Sequence, residues 1–190
     1  VKEILKKLGT EKVSVIQHDS YYKNRPELSF EERTKINFDH PDSLETNLLV
    51  EHLNLLISGK NVEIPVFHHF TKYLRDSSTK KVESRPILIV EGILVLNDKE
   101  LRDLMNLKVF IDVPPDLRFI RRLKRDLSEH GRSVESVTKQ YLATIRTMHE
   151  EYVEPSKIYA DVFITEGWDN RQAVNLLVSH LQTLQEKHFS

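Results

Sequence analysis

The sequence predicts an α/β layered fold with a mainly parallel sheet, and three observations carry that reading. Short apolar runs alternate with helical patterns along most of the 190 residues, the order that builds strand–helix units into parallel sheets. "PILIVEGILVL" (86–96) and "LKVFIDV" (107–113) are continuously apolar, as strands buried on both faces are. Two such runs give way to carboxylates, Asp19 and Glu91, and ligands of these sheets bind beyond the carboxyl ends of the strands.

The elements follow in order. "VKEILKKLG" has helical spacing over 1–8 with Gly9 as its C-cap. Nothing supplies an N-cap there, so upstream sequence is expected. A strand is predicted at 12–17, then a polar segment at 20–42. Ser43 reads as the N-cap of a helix over 44–59 that Gly59 closes. "NVEIPVF" (61–67) and "TKKVES" (79–84) predict a hairpin, inserted at about 60–85. A short helix at 98–105 precedes the strand at 107–113. Prolines at the first turn suit the helix over 114–131. A second long helix at 133–153 is separated from it near Gly131. A strand at 160–165 and a helix at 170–188 close a single expected domain, 1–190. No repeat, low-complexity segment or clear linker interrupts it.

Composition excludes several classes. Lysine and arginine total 28 against 29 acids, without the basic excess usual in nucleic-acid binders. Cysteine is absent, which excludes disulfides and thiolate metal sites. No apolar run reaches the roughly 18 residues of a membrane span, and no signal peptide is visible. The chain reads as an ordinary soluble globular protein, compatible with the cytoplasm.

Five stretches could carry chemistry. Asp19, in "SVIQHDSYY", follows a buried strand, where a turn aspartate and a site residue are equally good readings. Glu91 ends a strongly apolar strand, and an unpaired carboxylate there needs a base or a cation; Mg²⁺ takes one or two carboxylates plus waters and phosphates. "RFIRRLKRD" carries Arg118, Arg121, Arg122, Lys124 and Arg125, with Arg132 beyond. Arginine forks match phosphate oxygens, although by themselves they read as a solvated face paired with Asp116, Asp126 and Glu129. "NFDHPDS" places Asp39, His40 and Asp42 where they could bind sugar hydroxyls or make a plain turn. "FHHFTKY" puts adjacent histidines on opposite sides of a strand, which disfavours a shared metal. Its aromatics could stack on a planar base or cover a core edge.

In order, "HDSYYK", "NFDHPDS", "GKNVEIPVF", "VEGILVL", "LRDLMNLKVFIDV", "RRLKRD", "GRS", "QY", "EPSKIYADV" and the "DN" at 169–170 resemble the uridine–cytidine kinase family of P-loop kinases. The resemblance covers nearly the whole chain. It implies a P-loop kinase-like layered fold with helices on both faces of the sheet, the hairpin over the nucleoside site and a lid over about 118–140. It implies transfer of the γ-phosphoryl of ATP, or GTP, to the 5′-hydroxyl of uridine or cytidine, with Mg²⁺. Asp19 would be the general base and lie near the metal, and Glu91 would help hold it. Tyr22, Asp39, Phe67, Tyr73, Arg122, Arg132 and Gln140 would bind the nucleoside. Arg125, His130 and Arg132 would serve the phosphates, with Arg125 also in the catalytic set. A cytoplasmic homo-oligomer, commonly a tetramer, and feedback by pyrimidine nucleotides are implied as well. No nucleic-acid or membrane partner is.

Three departures stand out. The Gly-rich phosphate loop belongs before the first helix, and the chain starts inside that helix. This polypeptide by itself is therefore expected to show little or no kinase activity. The family's His-Thr-Arg or His-Ser-Arg reads here as "TKYLR": without a gap Lys72 falls at the histidine, whereas one inserted residue puts Tyr73 there and also matches Arg75 to the arginine, the preferred alignment. His130 stands where arginine is common, which would weaken the lid's charge. The alternatives are another small-molecule P-loop kinase, phosphoribulokinase-like or pantothenate-kinase-like, and a non-catalytic nucleoside-binding protein.

Overall fold

The computed structural model describes residues 1–69, 71–165 and 170–188; Asp169 of the "DN" pair lies outside them. Helix α1 (Lys2–Leu8) ends at Gly9, whose φ of 89° lets its N–H reach back to the Leu5 carbonyl at 2.9 Å. Strand β1 (Val13–Gln17) pairs in parallel with β4 (Ile87–Glu91), and Gln17 lies opposite Glu91. Strands β5 (Val109–Asp112) and β6 (Val162–Thr165) form a second parallel ladder. Among the described residues these ladders are separate. Packing nevertheless links the region after β4 to β5, because Leu94, Leu96 and Phe110 share one apolar cluster with Tyr22 and Phe67.

Strands β2 (Val62–His68) and β3 (Leu74–Val82) form the expected hairpin, with a register shift between Pro65 and Phe67. The return strand begins earlier than the sequence predicts, because pairing resumes past the bulge at Phe67–Arg75 and His68–Leu74. It ends where Ser84 turns away, donating from its backbone to Asn61 and from its hydroxyl to the Leu56 carbonyl.

Helix α3 (Thr46–Ile57) buries Leu49, Leu53 and Leu56 against Ile16 and Tyr21. Ser43 does not cap it. Its hydroxyl donates instead to the Phe38 and His40 carbonyls, closing a 3₁₀ turn at Pro41–Ser43, and Leu44 runs extended to bridge Tyr22. Ser29 and Glu32 form a capping box around the one-turn helix α2 (Phe30–Arg33), inside the segment read as merely polar.

Asp98 caps α4 (Lys99–Leu104) by accepting from the Leu101 N–H. Helix α5 (Pro115–Glu129) starts on its prolines as expected, and Gly131 with φ 60° breaks the chain before Ser133 caps α6 (Val134–Gln140). From α6 the chain stays helical through π turns at Tyr141–Ile145 and His149–Val153 up to Ser156. The second π turn precedes Pro155, whose missing N–H and bulky ring a regular α-turn would not accommodate. The final helix, Arg171–His188, packs on α1 through Val174, Leu177 and Val178. No described helix is long and apolar enough to cross a membrane.

Candidate active site

The parallel register of β1 and β4 fixes the acidic edge of the site. Gln17, the last residue of β1, donates from Nε2 to Glu91 Oε1 at 2.9 Å, which ties the ends of the two strands together. The chain leaves β1 in a tight 3₁₀ turn, His18–Tyr21, that carries Asp19. Gly92 makes this closeness possible: a Cβ there would come within 2.6 Å of His18 Cβ. His18 itself is 2% exposed, holds Thr46 through Nε2 at 3.2 Å and has its pKa lowered by burial to about 4, so it stays neutral as a spacer under Asp19.

Asp19 is exposed to solvent, although protein is packed densely around its site. Desolvation by that packing raises its pKa, and the nearby negative charges of Asp39 and Glu91 raise it further, against Arg125. Asp39 also has a raised pKa from burial, offset by Arg122 and Arg125. The structure thus brings Asp19, Asp39 and Glu91 into one electrostatic neighbourhood facing arginines.

Between the acids lies an aromatic wall. Tyr22 is 5% exposed, and its pKa is pushed up by burial and then by Asp19 and Asp39. Its ring contacts Phe38 at 4.9 Å and Phe67 at 5.2 Å, with His69 at 5.6 Å. Tyr73, with φ 52°, stacks on Phe38 at 5.5 Å and 18°. Phe38 and His69 were missed as wall residues, although both lie in stretches singled out in the sequence. Arg75 holds the hairpin to this wall: it pairs with Glu45 at 2.8 Å, and its backbone N–H donates to Asn24. His68 pairs with Asp76 across the hairpin.

The arginines are organised differently from the solvated face that helical spacing suggests. Asp126 is fully buried, at 0% exposure, and Arg122, Arg125 and Arg132 all converge on it. Gln140 Oε1 accepts from Arg132 at 2.6 Å and from Arg122 at 3.3 Å, so its carbonyl is engaged with the arginines. His130 is the residue after α5, next to Gly131. Burial lowers the Arg122 pKa, while Asp126 and Asp39 counteract that.

A hard cation fits the donor set of the acidic edge. Asp19 and Glu91 offer carboxylate oxygens within mutual electrostatic range. Mg²⁺ keeps waters and phosphates in its shell and needs only one or two protein carboxylates.

Comparison with known proteins gives a consistent result. The sequence profile of the phosphoribulokinase/uridine kinase family matches residues 1–173. A uridine kinase from Streptococcus gordonii is 45% identical over 96% of this chain and 87% of its own length. One from Chloroflexus aurantiacus is 49% identical over 94% and 85%. Phosphoribulokinase from Rhodobacter spheroides superposes with a TM-score of 0.64 at 17% identity, over 86% of this chain and 63% of that one, a likeness of fold.

Proposed function

This chain belongs to the phosphoribulokinase/uridine kinase family, and from that premise we propose that it is a uridine kinase, transferring the γ-phosphoryl of ATP to the 5′-hydroxyl of a pyrimidine ribonucleoside. The observation that carries this is the 45–49% identity, over most of both chains, to proteins named uridine kinase. The acid–aromatic–acid arrangement of Asp19, Tyr22 and Asp39 supports it: an aromatic wall suits a planar base, and Asp39 can accept from ribose hydroxyls.

In this reading Asp19 hydrogen-bonds the 5′-hydroxyl and accepts its proton late in transfer. The O5′–Pγ bond forms as the bond from Pγ to the β,γ-bridging oxygen breaks, and ADP leaves with the electron pair. Little covalent chemistry falls to the protein, so positioning and charge do the catalysis. Arg122, Arg125 and Arg132 supply positive charge to the phosphates, His130 joins the phosphate set, and Arg122 and Arg132 also reach the nucleoside. Phe67 and Tyr73 line the base, and Gln140 reaches the nucleoside with its amide N–H₂. Asp19 and Glu91 would hold Mg²⁺, which when bound neutralises charge on the phosphoryl oxygens. GTP as an alternative donor, a homo-oligomeric (tetrameric) assembly, a place in cytoplasmic pyrimidine salvage and a single domain over 1–190 are parts of the same proposal.

A substrate panel tests it. The full-length protein, given ATP and Mg²⁺, is expected to phosphorylate uridine or cytidine and to leave ribulose 5-phosphate and pantothenate unchanged. Turnover of either of the latter alone overturns the nucleoside assignment. Uridine binding without turnover would favour a non-catalytic nucleoside binder.

A further inference from the structure

We propose that Asp126 is a positioning residue for phosphoryl transfer, the buried carboxylate that holds three arginines in the geometry a triphosphate needs. This rests on the kinase reading for what the arginines serve, but not for how they are held.

Like charges repel, so guanidinium groups gathered in one place need a counter-charge. Asp126 supplies it and divides its oxygens. Oδ1 accepts from Arg125 Nε at 3.0 Å and Nη2 at 2.8 Å. Oδ2 accepts from Arg132 Nη1 at 3.3 Å and lies 3.6 Å from Arg122 Nε, an ionic contact beyond hydrogen-bond range. The Asp126 backbone carbonyl also accepts from the Arg132 N–H at 3.1 Å, which closes the loop around Gly131. One residue therefore anchors Arg132 by both side chain and main chain.

The network extends outward through α6. Ser136 accepts from Arg132 Nη2 with both its hydroxyl, at 2.9 Å, and its carbonyl, at 3.3 Å. One carboxylate cannot neutralise three guanidiniums, so a positive surplus remains. Arg125 is the most exposed of the three, at 46%, against 23% for Arg122 and 21% for Arg132. Its electrostatic reach extends to Asp19 and Asp39. The arrangement is an anion site in which Asp126 holds Arg125 and Arg132 by hydrogen bonds and Arg122 by charge, with Arg125 the most exposed of the three.

Two roles for Asp126 predict opposite signs. If it merely offsets charge, Asp126→Asn adds net positive charge and ATP binds more tightly. If it positions the arginines, the same variant weakens ATP binding, by about tenfold for lost charge-assisted hydrogen bonds. The test is calorimetric titration of the full-length protein with ATP–Mg²⁺ and, separately, uridine, together with melting curves and the KM for each substrate. The expected result is an ATP affinity and KM that worsen well beyond those for uridine. Ser136→Ala, which removes one exposed contact to Arg132 without a buried charge, should shift ATP affinity the same way by a smaller factor, about twofold to threefold. That variant carries the test if Asp126→Asn does not fold. Unchanged or tighter ATP binding in the folded variants overturns the proposal, as does equal loss for both ligands. A wild-type protein without uridine turnover would overturn the functional reading alone, because the ATP titration would still decide the role of Asp126.

Discussion

The acidic and basic halves of this site are held by different physics. Asp19 and Glu91 hang from strand ends whose register is set by the β1–β4 ladder and tied by Gln17. Arg122 and Arg125 come from α5 and Arg132 from the connection after Gly131, and all three are gathered by the buried carboxylate of Asp126. Backbone hydrogen bonds leave the acids little freedom. The arginines depend on side-chain contacts that can be exchanged for phosphate oxygens. A kinase benefits from that division, since the proton acceptor must be in place beforehand while the phosphate clamp closes on its ligand.

The hardest way to break the acidic half is Asp19→Asn. It keeps shape and some hydrogen bonding but removes the proton acceptor, so kcat should fall by about 10²–10⁴-fold with uridine affinity mostly retained. Near-normal turnover would remove Asp19 from the catalytic role. Stability should move the other way. The folded protein favours protonated Asp19, so it binds more protons than the unfolded chain above pH 3.8 and loses stability as pH rises through the raised pKa. At neutral pH the asparagine variant lacks that penalty, and its Tm should equal or exceed that of the wild type. With its pKa raised, Asp19 should ionise at a higher pH than an ordinary aspartate, and the acid limb of the wild-type kcat/KM profile should move up with it. A limb at the ordinary position would detach it from Asp19.

Asp39→Asn is the next step down. It should raise the KM for uridine by about tenfold, the cost of a charged partner lost from a sugar hydroxyl, and change the KM for ATP much less. A larger effect on ATP would mean that Asp39 acts mainly by orienting Arg122, to which it is electrostatically coupled.

The two halves were also unequally legible in the sequence. Continuous apolar runs giving way to Asp19 and Glu91 mark strand ends, so the place of the acidic edge was legible, while Asp19 by itself read equally well as a turn residue. Asp126 carries no such mark: its spacing from Arg122 says that the two share a helix face, not that α6 will cover that face. Burial of a helix flank is decided by what packs on it, here the segment after Gly131. Ser43 failed as a cap for a related reason, because the chain turns through Pro41–Ser43 and runs extended at Leu44 before the helix begins at Thr46. The Ser29–Glu32 box shows the converse, a local signal visible in sequence yet passed over within a polar segment. Gln140 was read as a nucleoside contact by resemblance, and the structure adds that its carbonyl serves the arginines first.

The smallest prediction sharpens the basic half. His130 follows the last residue of α5 and adjoins the Gly131 break, two residues before Arg132. Arginine is charged at any working pH. His130→Arg therefore adds positive charge at the rim, while Asp126 and its contacts stay as they are. Rim charges act through solvent and are worth well under about 1 kcal/mol each, so the KM for ATP should fall by only about twofold to threefold. Salt should erase the gain, because charges near the surface are screened within about 10 Å at 0.1 M. The uridine KM should not follow, since the added charge faces phosphate rather than base. ATP affinity that is unchanged or weaker at low salt would show that the basic half is governed by how Asp126 arranges its arginines rather than by how much positive charge the lid carries.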